Sequence, residues 1–83
     1  MPLPVPKKKY DRLRVLLIEA RETAGLTQVQ LAEKLSRPQS FVSKIERGLR
    51  RVDLLEFLEI ARAVGLDAAE FLGKLERPKY YKR

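Results

Sequence analysis

The chain has 83 residues, with 18 Lys and Arg against 11 Asp and Glu, a formal net charge of +7, and no His, Cys or Trp. This length allows one domain with one small hydrophobic core. Without Cys or His the chain lacks thiolate nucleophiles, imidazole bases and the usual zinc ligands, so we expect no enzyme, metal site or cofactor. The longest aliphatic run, Val15–Ile18, is too short for a membrane span. The missing Cys and the missing signal-peptide pattern favour a cytoplasmic protein.

The charge is distributed unevenly along the chain. Residues 1–51 contain 12 basic and 5 acidic side chains, residues 52–76 contain 2 and 6, and residues 77–83 contain 4 and none. This polarity favours a polyanion such as nucleic acid on the basic side, with the acidic segment directed away from it. On charge alone, basic residues that only keep a small domain soluble are an equally good explanation.

The first predicted elements are a basic arm and an amphipathic helix. Residues 1–9 have Pro at alternate positions followed by three Lys, which predicts a flexible basic arm that is able to reach nucleic acid. Folded structure is expected from about Tyr10. Apolar residues with the helical period predict a first helix from about Asp11 to Ala24, which ends at Gly25.

Two short helices follow, separated by a tight turn. Thr27 and Gln30 form a capping box that opens the second helix. Pro38 is expected in the first turn of the third helix, which ends at Gly48. Short helices joined in this way are typical of a helix-turn-helix unit, here residues 27–48.

Two further amphipathic helices complete the chain. Asp53 is expected to cap a fourth helix that ends at Gly65, and Asp67 a fifth that ends before Pro78. Residues 77–83 form a basic tail. The positions expected to face the core are Leu54, Phe57, Leu58, Ala61 and Val64 in the fourth helix and Ala68, Phe71, Leu72 and Leu75 in the fifth. The acid pairs Glu19/Glu22 and Glu56/Glu59 are interpreted as exposed helix faces.

Together the five predicted helices indicate a compact all-α domain over residues 10–76. Its central stretch TQVQLAEKLSRPQSFVSKIERG closely resembles the helix-turn-helix of the lambda-repressor and Cro type, also called the xenobiotic response element type. The family opens with Thr-Gln, has Leu-Ala in the second helix, and ends the third helix with Ile-Glu-x-Gly. The resemblance implies a five-helix DNA-binding domain.

The resemblance also implies roles for single residues. Gln39, Ser40 and Lys44 match positions that read base edges, where Gln is suited to adenine and Lys to guanine. The positions expected to contact phosphate are Gln28, Arg37, Ser43, Arg47, Arg50 and Arg51, with Arg37 alternatively on a base. The alternative for this polar face of the third helix is an ordinary solvated surface.

A second set of residues is expected to hold the scaffold. The resemblance implies a mostly buried ion pair between Arg21 and Glu46 beneath the third helix. The side chains expected to fix the angle between the second and third helices are Leu31, Leu35, Val42 and Ile45, with small Ala32 allowing close approach. Two positions depart from the family pattern. Ser36 occupies a turn that commonly has Gly, where a left-handed backbone costs about 1 kcal/mol, and Pro38 removes one backbone N–H.

The predicted function is that of a sequence-specific double-stranded DNA-binding regulator, a repressor that binds a palindromic operator as a homodimer with half-sites about 34 Å apart. Val15 or Ile18, with part of the apolar surface of the last two helices, is expected at the dimer interface. Two alternatives remain open. One is an antitoxin or adaptor that binds a partner protein through helices 4 and 5, and the other is RNA binding through the same basic face.

Overall fold

The computed structural model describes residues 7–77, and within this range the chain forms five helices and no strand. They are α1 (Lys7–Thr23), α2 (Gln28–Leu35), α3 (Gln39–Glu46), α4 (Leu54–Val64) and α5 (Ala68–Glu76). α2 packs against α3 and α4, while α1 packs against α3 and α5. The predicted all-α, five-helix fold is therefore confirmed. No helix in the described range is long and apolar enough to cross a membrane.

The first helix begins earlier than the sequence pattern predicted. α1 starts at Lys7, so residues 7–9, which were predicted to belong to a flexible arm, form its first turn. The proline stretch ends at Pro6, and Lys is a good helix former, so nothing in the sequence prevents the helix from beginning there. The rest of the predicted arm, residues 1–6, and residues 78–83 of the predicted tail lie outside the described residues.

Helices α1 to α4 all end in the same backbone pattern, a Schellman motif in which an N–H bonds to the carbonyl five residues earlier. These bonds are Leu26 to Arg21, Arg37 to Ala32, Leu49 to Lys44 and Leu66 to Ala61, at 2.8 to 3.2 Å. Glycine provides the left-handed residue in α1, α3 and α4, whereas α2 uses Ser36, with φ of 55°. Ser36 therefore adopts the left-handed conformation at a position where the family commonly has Gly, so the turn keeps its shape and carries the strain.

Side-chain caps set the starts of α2 and α4. The Gln30 N–H donates to Thr27 Oγ1 at 3.0 Å, and the Gln30 side chain accepts from the Thr27 N–H at 2.9 Å. Asp53 and Glu56 form the same reciprocal box, at 2.8 and 3.0 Å. Pro38, by contrast, lies at the N-cap of α3 with an extended backbone and no side-chain cap. The prediction that it belongs to the first turn was wrong, and α3 begins after it.

The core is built from all five helices. Its buried members are Leu17, Leu31, Ala32, Phe41, Val42, Ile45, Phe57, Ile60 and Phe71. The rings of Phe57 and Phe71 lie 5.2 Å apart and join α4 to α5. The predicted core face of α4 was partly wrong, because two overlapping stripes in its sequence fit the helical period and the one containing Ile60 is buried. The leucines that were expected in the core and are exposed instead are Leu54, Leu58 and Leu72, at 66%, 42% and 44%.

Candidate nucleic-acid interface

The outer face of α3 carries polar and cationic side chains. Gln39, Ser40 and Lys44 are exposed, as is Arg47 at its C-terminal cap, and Ser43 is half-buried between them. The Arg47 Nη1 donates to Ser43 Oγ at 3.3 Å. The opposite face is buried and consists of Phe41, Val42, Ile45 and Glu46. The structure therefore brings the predicted base-reading residues together on one accessible surface.

Gln28, at the first position of α2, links this surface to the interior. Its Nε2 donates to Glu46 Oε1 at 2.8 Å, and its Oε1 accepts from Gln39 Nε2 at 3.3 Å. The start of α2 is thereby connected to both ends of α3. The amide of Gln39, the first residue of α3, is thus oriented by a partner that is itself anchored to a buried carboxylate.

Arg21 and Glu46 form the ion pair that the resemblance implied. Arg21 Nε lies 2.7 Å from Glu46 Oε2, and Nη2 lies 3.1 Å from Oε1, which makes the contact bidentate. A third donor, Nη1, bonds to the Leu26 carbonyl at 2.8 Å. The two side chains are only 13% and 8% exposed. Hydrogen bonding to Glu46 raises the pKa of Arg21 above its ordinary value, and the pair ties α3 to α1.

Arg14, which the sequence analysis did not single out, holds the C-terminal end of α3. Its Nη1 donates to the Glu46 carbonyl at 2.6 Å, and its Nη2 pairs with Asp11 at 3.1 Å. A side chain at Gly48 would bring its Cβ within 3.2 Å of Arg14 Nε, at a φ of +79°. Arg14 and Arg21 are seven residues apart and therefore share one face of α1. That spacing was the signal available in the sequence.

Tyr10 anchors the loop between α3 and α4. Its hydroxyl accepts a hydrogen bond from the Val52 N–H at 3.1 Å, and the guanidinium carbon of Arg51 lies 5.2 Å from its ring centroid. Arg51 itself is exposed. The loop therefore has a fixed attachment to α1 while one of its predicted phosphate-binding residues remains accessible.

Arg37 and Arg50, two other predicted phosphate contacts, are directed towards α4. Arg50 Nη1 and Nη2 each lie 2.8 Å from a carboxylate oxygen of Glu56. Arg37 lies 3.4 Å from Glu56 and 3.3 Å from Glu59. The interpretation of Glu56 and Glu59 as a simple exposed face was wrong for Glu56, which is 9% exposed. The expectation that the acidic segment faces away from the basic one fails at this point as well.

These contacts shift the charge equilibrium of Glu56. The bonds from Arg50 and from the Asp53 N–H, together with that from Arg37, lower the pKa of Glu56 from 4.5 to about 2. The bond to Glu56 in turn raises the pKa of Arg50. Glu56 and Arg50 are therefore both charged throughout the neutral range.

Comparison with known proteins agrees with this geometry. An XRE-family-like protein from Pseudomonas syringae pv. tomato is 50% identical, with a TM-score of 0.81 over 84% of this chain and 85% of that one. A family described as the helix-turn-helix domain matches residues 12–72, most of the chain. The chain belongs to the XRE-type helix-turn-helix family. Its general function is therefore DNA binding in transcription regulation.

Two more distant structures share the fold. The clp gene regulator ClgR from C. glutamicum is 25% identical, with a TM-score of 0.73 and coverage of 90% of this chain and 92% of that one. The restriction-modification controller protein C.Esp1396I is 22% identical, with a TM-score of 0.75 and coverage of 82% and 90%, and at this identity it is similar in fold alone. No curated protein sequence gives a significant match.

Proposed function

We propose that this helix-turn-helix protein is a sequence-specific repressor that places α3 in the major groove of duplex DNA and binds a palindromic operator as a homodimer. The observation that carries the proposal is the outer face of α3, where exposed polar side chains project from a helix that buried contacts hold in place. A major groove admits one α-helix, and its base edges offer the donors and acceptors that such side chains recognise.

Gln39, Ser40 and Lys44 read the bases. Gln39 is suited to a bidentate contact with adenine, and Lys44 to donation to guanine O6 or N7. Their exposure leaves them free to reach base edges. The bond from Gln39 to Gln28 restricts its amide before DNA arrives, so less conformational entropy is lost on binding.

Phosphate contacts flank this reading face. Arg47 and Ser43 lie side by side at the C-terminal half of α3, and Arg51 lies in the loop between α3 and α4. Gln28 lies at the start of α2. These four positions are suited to contact phosphate and to fix the register of α3 on the duplex. Arg37 and Arg50 are left out of this set because their guanidinium groups are engaged by Glu56.

The dimer is proposed to form through α4. Leu54, Leu55 and Leu58 are 66%, 70% and 42% exposed, and their spacing places them on one side of that helix. A second copy that covers these leucines would present two α3 helices to half-sites about 34 Å apart. Leu55→Glu is expected to give a folded monomer in sedimentation experiments, whereas Val29→Glu, at an exposed valine of α2, is expected to remain a dimer.

The same exposed leucines also favour the alternative, in which α4 and α5 bind a different protein, as an antitoxin or adaptor does. Sedimentation separates the two functions. Self-association of the purified chain supports the homodimer, whereas a monomer that co-purifies with a second protein in fixed stoichiometry supports the adaptor.

Selection of bound duplexes from a random pool tests the DNA-binding proposal. The expected result is enrichment of a twofold symmetric consensus with half-sites one helical turn apart. An absence of enrichment, or preferential binding of single-stranded RNA in a parallel pool, would contradict it.

A further inference from the structure

A carboxylate with little solvent exposure lies between α4, the α2–α3 turn and the α3–α4 loop. The Glu56 side chain is 11% exposed, and its Oε1 accepts from Arg50 Nη1 at 2.8 Å and from the Asp53 N–H at 3.0 Å. Its Oε2 accepts from Arg50 Nη2 at 2.8 Å and from Arg37 Nη1 at 3.4 Å. Two carboxylate oxygens offer about four acceptor sites. The protein itself therefore occupies the whole hydrogen-bonding capacity of Glu56.

The donors of Arg50 are also largely used. Its bidentate contact with Glu56 is the geometry with which Arg also binds phosphate, so one guanidinium cannot make both contacts with the same edge. Nη1 additionally donates to the Arg51 carbonyl at 2.8 Å. A phosphate oxygen would have to replace Glu56 to gain the same pair of bonds.

Phe41 completes the arrangement from α3. The guanidinium carbons of Arg37 and Arg50 lie 4.4 and 4.6 Å from its ring centroid, within the range of cation–π attraction. Phe41 is 7% exposed and belongs to the core. Both arginines are thus held by a carboxylate and by a buried ring, and these contacts restrict the conformations that their long side chains can adopt.

We infer that Glu56 is a positioning residue that holds Arg37 and Arg50 away from DNA phosphates and thereby limits nonspecific DNA binding. The inference rests on the proposed DNA-binding function. Each Lys or Arg that neutralises a phosphate raises affinity for every sequence alike, so withdrawing two cations lowers nonspecific binding. Because such contacts add equally to specific and nonspecific affinity, their withdrawal leaves the ratio of the two unchanged and lowers the sequence-independent part of the affinity.

The test measures the slope of log K against log salt concentration on a 20-bp duplex of arbitrary sequence. Glu56→Gln keeps the side-chain size and releases the arginines, so its slope is expected to become steeper by about 0.9 for each arginine that reaches a phosphate. Glu70→Gln on α5 changes the net charge by the same amount as Glu56→Gln but does not touch Arg37 or Arg50, so it is expected to keep the wild-type slope. Adding Arg50→Gln to Glu56→Gln is expected to reverse about half of the change.

The single variant Arg50→Gln gives a second, independent readout in case Glu56→Gln folds poorly. If Arg50 is withdrawn from DNA, this variant keeps the wild-type slope. A slope shallower by about 0.9 would mean that Arg50 already contacts phosphate, and would overturn the inference. An unchanged slope in folded Glu56→Gln would overturn it too, whereas failure of the wild type to bind any duplex would overturn the proposed function with it.

Discussion

Glu46 and Glu56 are the two buried carboxylates among residues 7–77, and each accepts a bidentate pair of hydrogen bonds from an arginine. Their settings differ. The partner of Glu46, Arg21, comes from α1 and is 13% exposed, whereas Arg50, the partner of Glu56, comes from the loop after α3 and is 37% exposed. The same chemistry thus acts once in the interior and once at the rim of the proposed DNA surface.

The difference shows what a buried ion pair does in each place. Between α1 and α3, the pair joins two helices in the interior and holds α3 in position. In the proposed DNA complex, the carboxylate at the loop competes with phosphate for the same guanidinium edge, so the pair would also set how many cations face DNA. Loss of the Arg21–Glu46 pair is therefore expected to affect mainly the stability of the fold. Loss of the Arg50–Glu56 pair is expected to affect both stability and DNA binding.

The largest effect is expected from Arg21→Ala. Removal of the guanidinium leaves Glu46 as a buried charge with its main partner gone, which is expected to cost about 3 to 5 kcal/mol in the free energy of unfolding. Urea denaturation, monitored by circular dichroism, measures the free energy of unfolding. Arg62→Ala, an exposed α4 arginine with the same change of charge, is the matched control and should shift stability by less than about 0.5 kcal/mol. Equal losses in the two variants would contradict the structural role of the Arg21–Glu46 pair.

A smaller, pH-dependent effect is expected from Glu56→Gln. The pKa of Glu56 is lowered from 4.5 to about 2, so its ionised form stabilises the fold at all pH values above about 4.5, and this contribution is lost as the pH falls towards 2. The melting temperature of Glu56→Gln should therefore lie below that of the wild type at neutral pH, with the gap closing between pH 4.5 and 2. A gap of constant size across that window would show that Glu56 does not act through its charge.

The smallest effect is expected at the turn that carries Arg37 to Glu56. Ser36 has a left-handed backbone that glycine adopts without a steric penalty, so Ser36→Gly is expected to stabilise the fold by at most about 1 kcal/mol. Thermal melting checks the sign of the change. Destabilisation would mean that the conformational entropy that glycine adds to the unfolded chain outweighs the relief of backbone strain.

Local signals in the sequence were sufficient for most of the fold. Capping boxes, glycine positions and the helical period predicted all five helices, because each signal depends on neighbouring residues only. The start of α1 was predicted too late, because the lysines that follow Pro6 are good helix formers and belong to its first turn. The buried side of α4 was predicted only in part, because its sequence offers two apolar stripes and only packing against α2 and α5 selects between them.

In the candidate site too, residues on one helix could be predicted from the sequence, whereas contacts between distant elements could not. Residues of α3 were placed on its outer face because a single helix determines which side chains share a face. Arg37, Arg50 and Glu56 come from three elements, and no sequence spacing indicates that the loop arginine turns inward to α4. The hydrogen bond between the Val52 N–H and the Tyr10 hydroxyl likewise joins distant segments, and no local pattern predicts it.

The most direct test of sequence recognition by α3 compares the base preferences of Gln39→Ala and Arg47→Ala with those of the wild type on a set of single-base operator variants. If Gln39 reads a base edge, Gln39→Ala loses about 1 to 3 kcal/mol of discrimination at one base position of each half-site, while Arg47→Ala weakens all sequences about equally. A Gln39→Ala variant that loses affinity uniformly, with every base preference retained, would contradict the claim that the outer face of α3 reads DNA sequence.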